Sequence, residues 1–422
     1  MHYEALDTVI AESGIWEGSR RQSHAFLLSP SVYSITEMQR RELVDLGHAL
    51  YDCLLGLSHI AVIAYDGDLN YGGSWLFARR VFSTGVPKIY QELQGMNVRQ
   101  VPNLLKIDLM VDVDGNFRIA EIDGHNKHGV GYSTLAKRFR EAIRPGANAL
   151  PGVVAALATE VWRGGSPDLK LLYADQERFY LPEFEIARQE FLKHGVKCSV
   201  VSEMDVEEKF LGQGLFLDLP FLYRRKDLYS EIIAAYNAGQ VRFIIPPKPF
   251  LGAKGVLAFL RNDVGHEQVE AILRAFIKGR SLDLVRRYIP ETMLVGKQAA
   301  NMDTVKARAA GKRYVLKESI SSGMKGTVFS DSEDFEAVLK VACASSMNWI
   351  LQEEVANQPQ AFSWFEHCNG DGPVLRTGED WFMRVTVQYV GRQPADVIVT
   401  TCRDKAVHGG KECLQIGTII VP

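Results

Sequence analysis

The chain has 422 residues and 46% hydrophobic content, enough for large cores in two or three domains, while a net charge of -3 provides no basic field for nucleic acid or an anionic membrane. Its six cysteines, Cys53, Cys198, Cys343, Cys368, Cys402 and Cys413, form no CxxC pair and no zinc spacing, which suits a reducing cytosol and a cytoplasmic location. The opening "MHYEALDTVIAESG" lacks a charged segment followed by an apolar run, and no stretch is expected to approach the ~18 apolar residues of a membrane span.

The first clear element is "SITEMQRRELVDLGHALYDCLLGL". Thr36 and Gln39 form a capping-box pattern, and leucines at 43, 46, 50 and 54 recur at helical spacing. This predicts a long amphipathic helix in which His48 is structural. From about 100 to 125 the period falls to two, with an Asp114-Gly115 turn between strand-like runs. If that turn has two residues, counting outward sets Asp108 opposite Glu121 and Lys106 opposite Asp123. These four then share one face, while Ile107, Leu109, Val111, Val113, Ala120 and Ile122 line the other.

Opposed side chains on such a hairpin start about 5 Å apart, and two like charges there repel by roughly 3 kcal/mol at an effective dielectric near 20. A hard divalent cation such as Mg²⁺ would relieve this, since it takes oxygen ligands. So would a solvated lattice in which Lys106 neutralises Asp123. The hairpin alone leaves both open. The following "GHNKHGVG" holds His125 and His128 without cysteine or HExxH partners, so it reads as a glycine-rich turn with incidental polar groups.

A helix is expected at "STLAKRFREAI", stopped by Arg144-Pro145-Gly146, and the glycines and prolines from 150 to 168 suggest a boundary. Beyond it, "LKLLYAD", "EFEIARQEFLKHG" and "VKCSVVS" read as strand, helix and strand, the signature of a small parallel α/β domain ending near "VRFIIPPKPF". Arg224 and Arg225 follow the strand-like "LPFLY", where ligands meet such sheets; a solvated basic turn is the competing reading. Helices are expected at "AKGVLAFL", "EQVEAILRAFIKG" and "SEDFEAVLKVACA", and strands at "WILQEEV", "WFMRVTVQYVG" and "DVIVTTCR".

Between these lies "YVLKESISSGMKGTVFS", whose β-type flanks make its glycine loop a hairpin tip. Strand, glycine turn and helix, the order a P-loop needs, is absent. Gly323, Lys325 and Gly326, with Ser321 and Ser322, could still fold over a polyphosphate, with Lys317 pointing to the same nucleotide. An ordinary solvated hairpin is the alternative.

Together the two hairpins resemble the ATP-grasp superfamily, which clamps ATP between two α+β subdomains and typically joins a carboxylate to an amine. "YVLKES" supplies Lys317, "SSGMKGT" resembles the phosphate loop, and "WILQEEV" resembles the linking strand, with Gln352, Glu353 and Glu354 near the nucleotide. Lys254 matches the family's earlier phosphate lysine, and Arg384 sits where members carry an arginine facing the phosphates. Asp108, Glu121 and Asp123 resemble the Mg²⁺ signature but precede the lysines. That order resembles a circular permutation, as in glutathionylspermidine-synthetase-like proteins, and implies that residues 100 to 135 dock beside the C-terminal strands. Asp123 replaces the usual asparagine, and Lys106 replaces an arginine, losing bidentate geometry.

The resemblance implies an α/β and α+β fold: a permuted ATP-grasp core with a small parallel α/β pre-grasp domain. Its expected parts are 1–150 (helical region plus metal-binding part), 160–250 (substrate domain) and 251–422 (nucleotide-binding subdomains). It implies ATP and Mg²⁺ as cofactors, small carboxylate and amine substrates, and Lys106, Arg384 and Arg403 as groups steadying an oxyanion. A homo-oligomer stays open. The rivals are a small-molecule kinase on the same scaffold and a nucleotide-binding regulatory protein without turnover.

Overall fold

Three β-sheets carry the architecture, which is mixed α/β with antiparallel and parallel layers. The computed structural model describes residues 2–15, 26–65, 73–94, 98–165, 168–211, 214–222, 224–263, 265–297, 302–303, 305, 310–321, 326–367, 372–409 and 412–422. The central sheet runs in the order Tyr33–Thr36, Cys413–Val421, Gln393–Cys402, Pro373–Val390, Leu104–Val111, Phe117–Asp123, with Gln360–His367 added along Pro373–Val390. All its pairings are antiparallel except the first. Strand Leu104–Val111 therefore lies beside Pro373–Val390, with Asp108 opposite Thr386.

Period-two alternation divides the sheet into an apolar and a polar face. Ile107, Leu109, Val385, Val387 and Tyr389 are buried in the main core with the helix Glu37–Tyr65. Gly47 lets the helix approach: an added Cβ would lie 2.5 Å from the Tyr389 ring. The capping box at the helix start is reciprocal, Gln39 N donating to Thr36 Oγ1 at 3.1 Å and Thr36 N to Gln39 Oε1 at 2.9 Å. Contrary to the expectation that no segment approaches a membrane span, this helix is long and apolar enough by length and composition. However, 67% of its apolar window is buried inside the protein, as in a core helix.

The acidic hairpin pairs Asp108 with Glu121 and Lys106 with Asp123, as counting predicts, by a different route. The turn is longer than two residues: Asp112 N donates to Asn116 O, and Gly115 N to Asp112 O, with Gly115 at φ 82. That shifts the register by one, and a bulge at Ala120 shifts it back. Hence two expected core residues are not in the core. Val113 is 53% exposed, and Ala120 turns to the polar face beside Glu121.

The second sheet, antiparallel, has the order Thr327–Phe329, Tyr314–Glu318, Trp349–Glu353, Thr292–Val295. The third is parallel, with Lys197–Ser202, Asp168–Tyr173, Gly214–Phe216 and Val241–Phe243, backed by the helix Leu181–Lys193. The helices Val130–Ile143, Gly255–Arg261, Glu267–Phe276 and Phe335–Ala344 fall where the sequence places them. Gly279–Tyr288 and the strands Gln360–His367 and Cys413–Val421 were not foreseen.

Candidate active site

The polar face of the central sheet, the underside of the second sheet and the C-terminal ends of the parallel strands enclose one cleft of about 1030 Å³. Lys106, Asp108, Arg384, Thr386 and Gln388 reach it from the central sheet, Lys317 and Thr327 from the second, and Glu177 and Asp218 from beyond the parallel strands.

Lys317 differs from the other cations of the cleft in its hydrogen-bond partners. Its Nζ donates to Gln352 Oε1 at 2.6 Å and to Ala120 O at 3.1 Å, both neutral acceptors. Ala120 is the bulged residue, so the bulge supplies the carbonyl that holds the lysine. Gln352 is fixed in turn by Nε2 bonds to Ile119 O and Thr292 Oγ1, each 3.3 Å. Among the described residues no carboxylate lies within ion-pair distance of Lys317, and burial lowers its pKa to about 8.

The other cations hold the carboxylates. Lys254 Nζ lies 3.1 Å from Glu121 Oε1 and donates to Ser321 O at 2.9 Å. Arg384 Nη1 lies 3.3 Å from Asp108 Oδ2, and Thr386 Oγ1 donates to Asp108 Oδ1 at 2.7 Å. Lys106 Nζ lies 2.9 Å from Asp123 Oδ2, which also accepts from Asn126 Nδ2 at 2.7 Å. Burial works to raise the Asp123 pKa, but the Lys106 charge leads the groups that pull it down to about 2. Burial likewise works to lower the Lys106 pKa, and Asp123 and Asp108 reverse it to a net rise. The charge repulsion of the hairpin is thus relieved by lysine and arginine.

Among the described residues no group of three His, Cys, Asp or Glu side chains stands close enough to hold a metal ion. The expected trio Asp108, Glu121 and Asp123 is not gathered into one ligand group here: Asp123 pairs with Lys106 and Asn126. Asp108 and Glu121 remain opposed on the cleft face. This pair suits a Mg²⁺ that brings its own phosphate ligands, since that ion uses one or two carboxylates and keeps several waters.

Of the remaining expected residues, Ser321, Gln352, Glu353 and Glu354 line the cleft, followed by Val355 to Gln358. Glu354 pairs with Arg313 at 3.1 Å and Lys405 at 3.5 Å, and Glu353 with Lys312 at 3.5 Å. Gly326, at φ 67, closes the hairpin by accepting from Glu318 N at 3.0 Å and is not part of the lining. Ser322, Gly323 and Lys325 lie outside the described residues.

Three arginines expected at the site are elsewhere. The Arg403 guanidinium lies over Trp364 and Trp381, 5.2 and 5.4 Å from the ring centroids, where cation–π attraction and packing hold it. Arg224, largely exposed, pairs with Asp175 at 3.0 Å, and Arg225 with Asp227 at 2.8 Å; neither lines the cleft. The strand ends of the parallel layer do meet the cleft, but through Gln176, Glu177 and Asp218. His125, His128, Gln388 and the segment 405–409 also line it. Of these only Gln388 has a sequence signal, through the alternation Arg384, Thr386, Gln388.

No family model matches the chain, and no curated protein matches it. Among solved structures it is similar to one from Methylobacillus flagellatus KT, provisionally described as a gamma-glutamylcysteine synthetase. Identity is 11%, the TM-score 0.38, and the match covers 83% of this chain and 88% of the other. A likeness that distant carries no argument about activity, so the functional reading rests on the cleft.

Proposed function

We propose that this protein is an ATP-dependent carboxylate–amine ligase on a circularly permuted ATP-grasp core, with the parallel layer near 160–250 as its substrate domain. It joins small, amino-acid-like molecules through an acyl phosphate and releases ADP and phosphate. The observation that supports this is the convergence of Lys106, Lys254, Lys317 and Arg384, from four separate strands or loops, on one cleft beside Asp108 and Glu121. A half-buried lysine whose hydrogen-bond partners are both neutral is costly to maintain, and a polyphosphate ligand would account for it.

In this reading Lys254 and Lys317 neutralise the triphosphate, and Gln352 to Asn357 line the slot for adenine and ribose. Asp108 and Glu121 would hold the Mg²⁺ that arrives with ATP and screens its charge. The substrate carboxylate lies next to Arg384 and Lys106, which face the oxygen that becomes anionic when the amine adds. Positioning and charge neutralisation supply most of the acceleration in phosphoryl transfer.

The test is product analysis by mass spectrometry after incubation with ATP, Mg²⁺ and pooled amino acids and small carboxylates, against pool-free controls. ADP, phosphate and a dehydrated conjugate are expected. ADP with a stable phosphorylated compound would instead identify a kinase, and nucleotide binding without turnover a regulatory protein.

A further inference from the structure

Glu177 and Asp218, 41 residues apart, meet Lys127 and His128 where the parallel layer closes the cleft. Lys127, fully buried, lies 3.1 Å from Glu177 Oε2 and 3.2 Å from Asp218 Oδ1. Glu177 Oε2 also accepts from Ala174 N at 3.0 Å, so this carboxylate is anchored twice. Its other oxygen, Oε1, lies 2.6 Å from His128 Nε2. Burial works to raise the Glu177 pKa, yet Lys127 and the His128 bond bring it below the usual range, so it is ionised and accepts. Nε2 therefore donates to Glu177, and Nδ1 is the ring nitrogen left for a ligand. Among the described residues Nδ1 makes no hydrogen bond.

This is the arrangement of a general base with its orienting carboxylate. The ring packs against Tyr180, centroids 4.1 Å apart and planes tilted by 55°, and both residues line the cleft. Charged and titratable groups around it are Glu177, Lys127, Glu183, Asp218, His125 and Lys106, whose Nζ is 3.4 Å from His128 O. Gln388, 1% exposed, lines the same end of the cleft with its Oε1 lacking a hydrogen-bond donor. Ionised Glu177 and that unused acceptor favour a ligand that donates protons.

We infer that this end of the cleft is the subsite for the amine, with His128 as the base that activates it and Glu177 as its positioning residue; the inference rests on the ligase reading. The arriving ammonium gives one proton to His128 Nδ1. The freed lone pair attacks the acyl-phosphate carbon, the C–N bond forms, and the C–O bond to phosphorus breaks with its electron pair leaving on phosphate. The second N–H proton leaves with that phosphate, and the product is a neutral amide.

Hydroxylamine is already uncharged at neutral pH and needs no base before attack. The test compares H128Q and E177Q with the wild type, using ATP, Mg²⁺, each of the twenty amino acids as carboxylate, and either hydroxylamine or the same amino acids as the amine. The expected result is a loss of roughly 10²-fold or more in amide formation by H128Q, a smaller loss in E177Q, and in each variant a loss of hydroxamate formation at least about tenfold smaller than its loss of amide formation. Equal loss of both products in both variants, or no loss, overturns the inference. So does a wild type that makes hydroxamates but no amides. Wild-type protein that consumes no ATP even with hydroxylamine refutes the ligase reading itself.

Discussion

Replacing Lys317 with methionine separates the cost of its partly desolvated charge from its use. Below pH 8 the wild-type lysine is protonated in both folded and unfolded chains, but its folded pKa has fallen from 10.5 to about 8. At 1.36 kcal/mol per pH unit, that depression makes the charged form cost up to about 3 kcal/mol of stability. The figure is an upper value, because the ammonium faces the cleft. Methionine fills similar space but leaves Ala120 O and the Gln352 amide oxygen without a donor, a loss of about 1 kcal/mol each. The net expectation is a K317M protein more stable by about 1 kcal/mol at pH 6.5 and unable to bind ATP.

The sign of the pH dependence follows from the lowered pKa. Between pH 8 and 10.5 the unfolded lysine holds more protons than the folded one, so wild-type stability gains with rising pH while K317M does not. The advantage of K317M should shrink by about 2 kcal/mol between pH 6.5 and 9.5. Titrations of groups that do not interact with Lys317 cancel in the difference, and the carboxylates coupled to it, Glu121 and Asp108, stay ionised across this pH range. Urea unfolding of both proteins at the two pH values measures it, and a variant that is less stable at pH 6.5, or a pH-independent difference, would refute the reasoning.

Glu121→Gln should lower Mg²⁺-dependent ATP turnover by at least about 10²-fold, the scale of a lost metal ligand; thermal melting should fall as well, because the buried Lys254 ammonium loses its carboxylate partner, so turnover is compared below the variant's melting point. Arg403→Ala should leave turnover intact and cost about 1 kcal/mol from the two tryptophan contacts; a turnover defect measured on folded protein would return Arg403 to the site. Gly417→Ala drives a Cβ to 2.5 Å from Ala136 O on the packed helix Val130–Ile143, and should cost about 1–3 kcal/mol or more in urea unfolding.

What was legible in the sequence was what local periodicity specifies. Alternation placed Lys106, Asp108 and Glu121 on one face because a half-buried sheet demands it, and the long helix announced both its cap and its apolar stripe. The hairpin register was right because two deviations cancelled, the longer turn and the bulge at Ala120. Neither leaves a clear local signal, and the bulge decides where Lys317 is held. Contacts made by chain crossing were not legible: Glu177 reaches His128 across 49 residues, and Arg403 is drawn to Trp364 and Trp381 on neighbouring strands. The glycine-rich turn at 124–131 offers no zinc spacing, but its histidine becomes chemically interesting only once that distant carboxylate arrives.

The charge arrangement of the cleft links the proposed roles. Lys106, Lys254, Lys317 and Arg384 face Asp108, Glu121 and Asp123, four cations against three carboxylates, and the unmatched charge is Lys317. In the proposed reaction a bare triphosphate would meet carboxylates close to its oxygens, and drawing Lys254 away would leave Glu121 without its partner. With a triphosphate carrying Mg²⁺, Lys254 would pair with phosphate and Glu121 would hold the metal. Neither charge is stranded in the process, which matters because stranding a charge costs more than the pair contributes. Asp123 would stand outside this exchange, tied to Lys106 and Asn126. Lys106 Nζ, close to both Asp123 Oδ2 and the His128 carbonyl, sits at the boundary where an activated carboxylate and an arriving amine would have to meet.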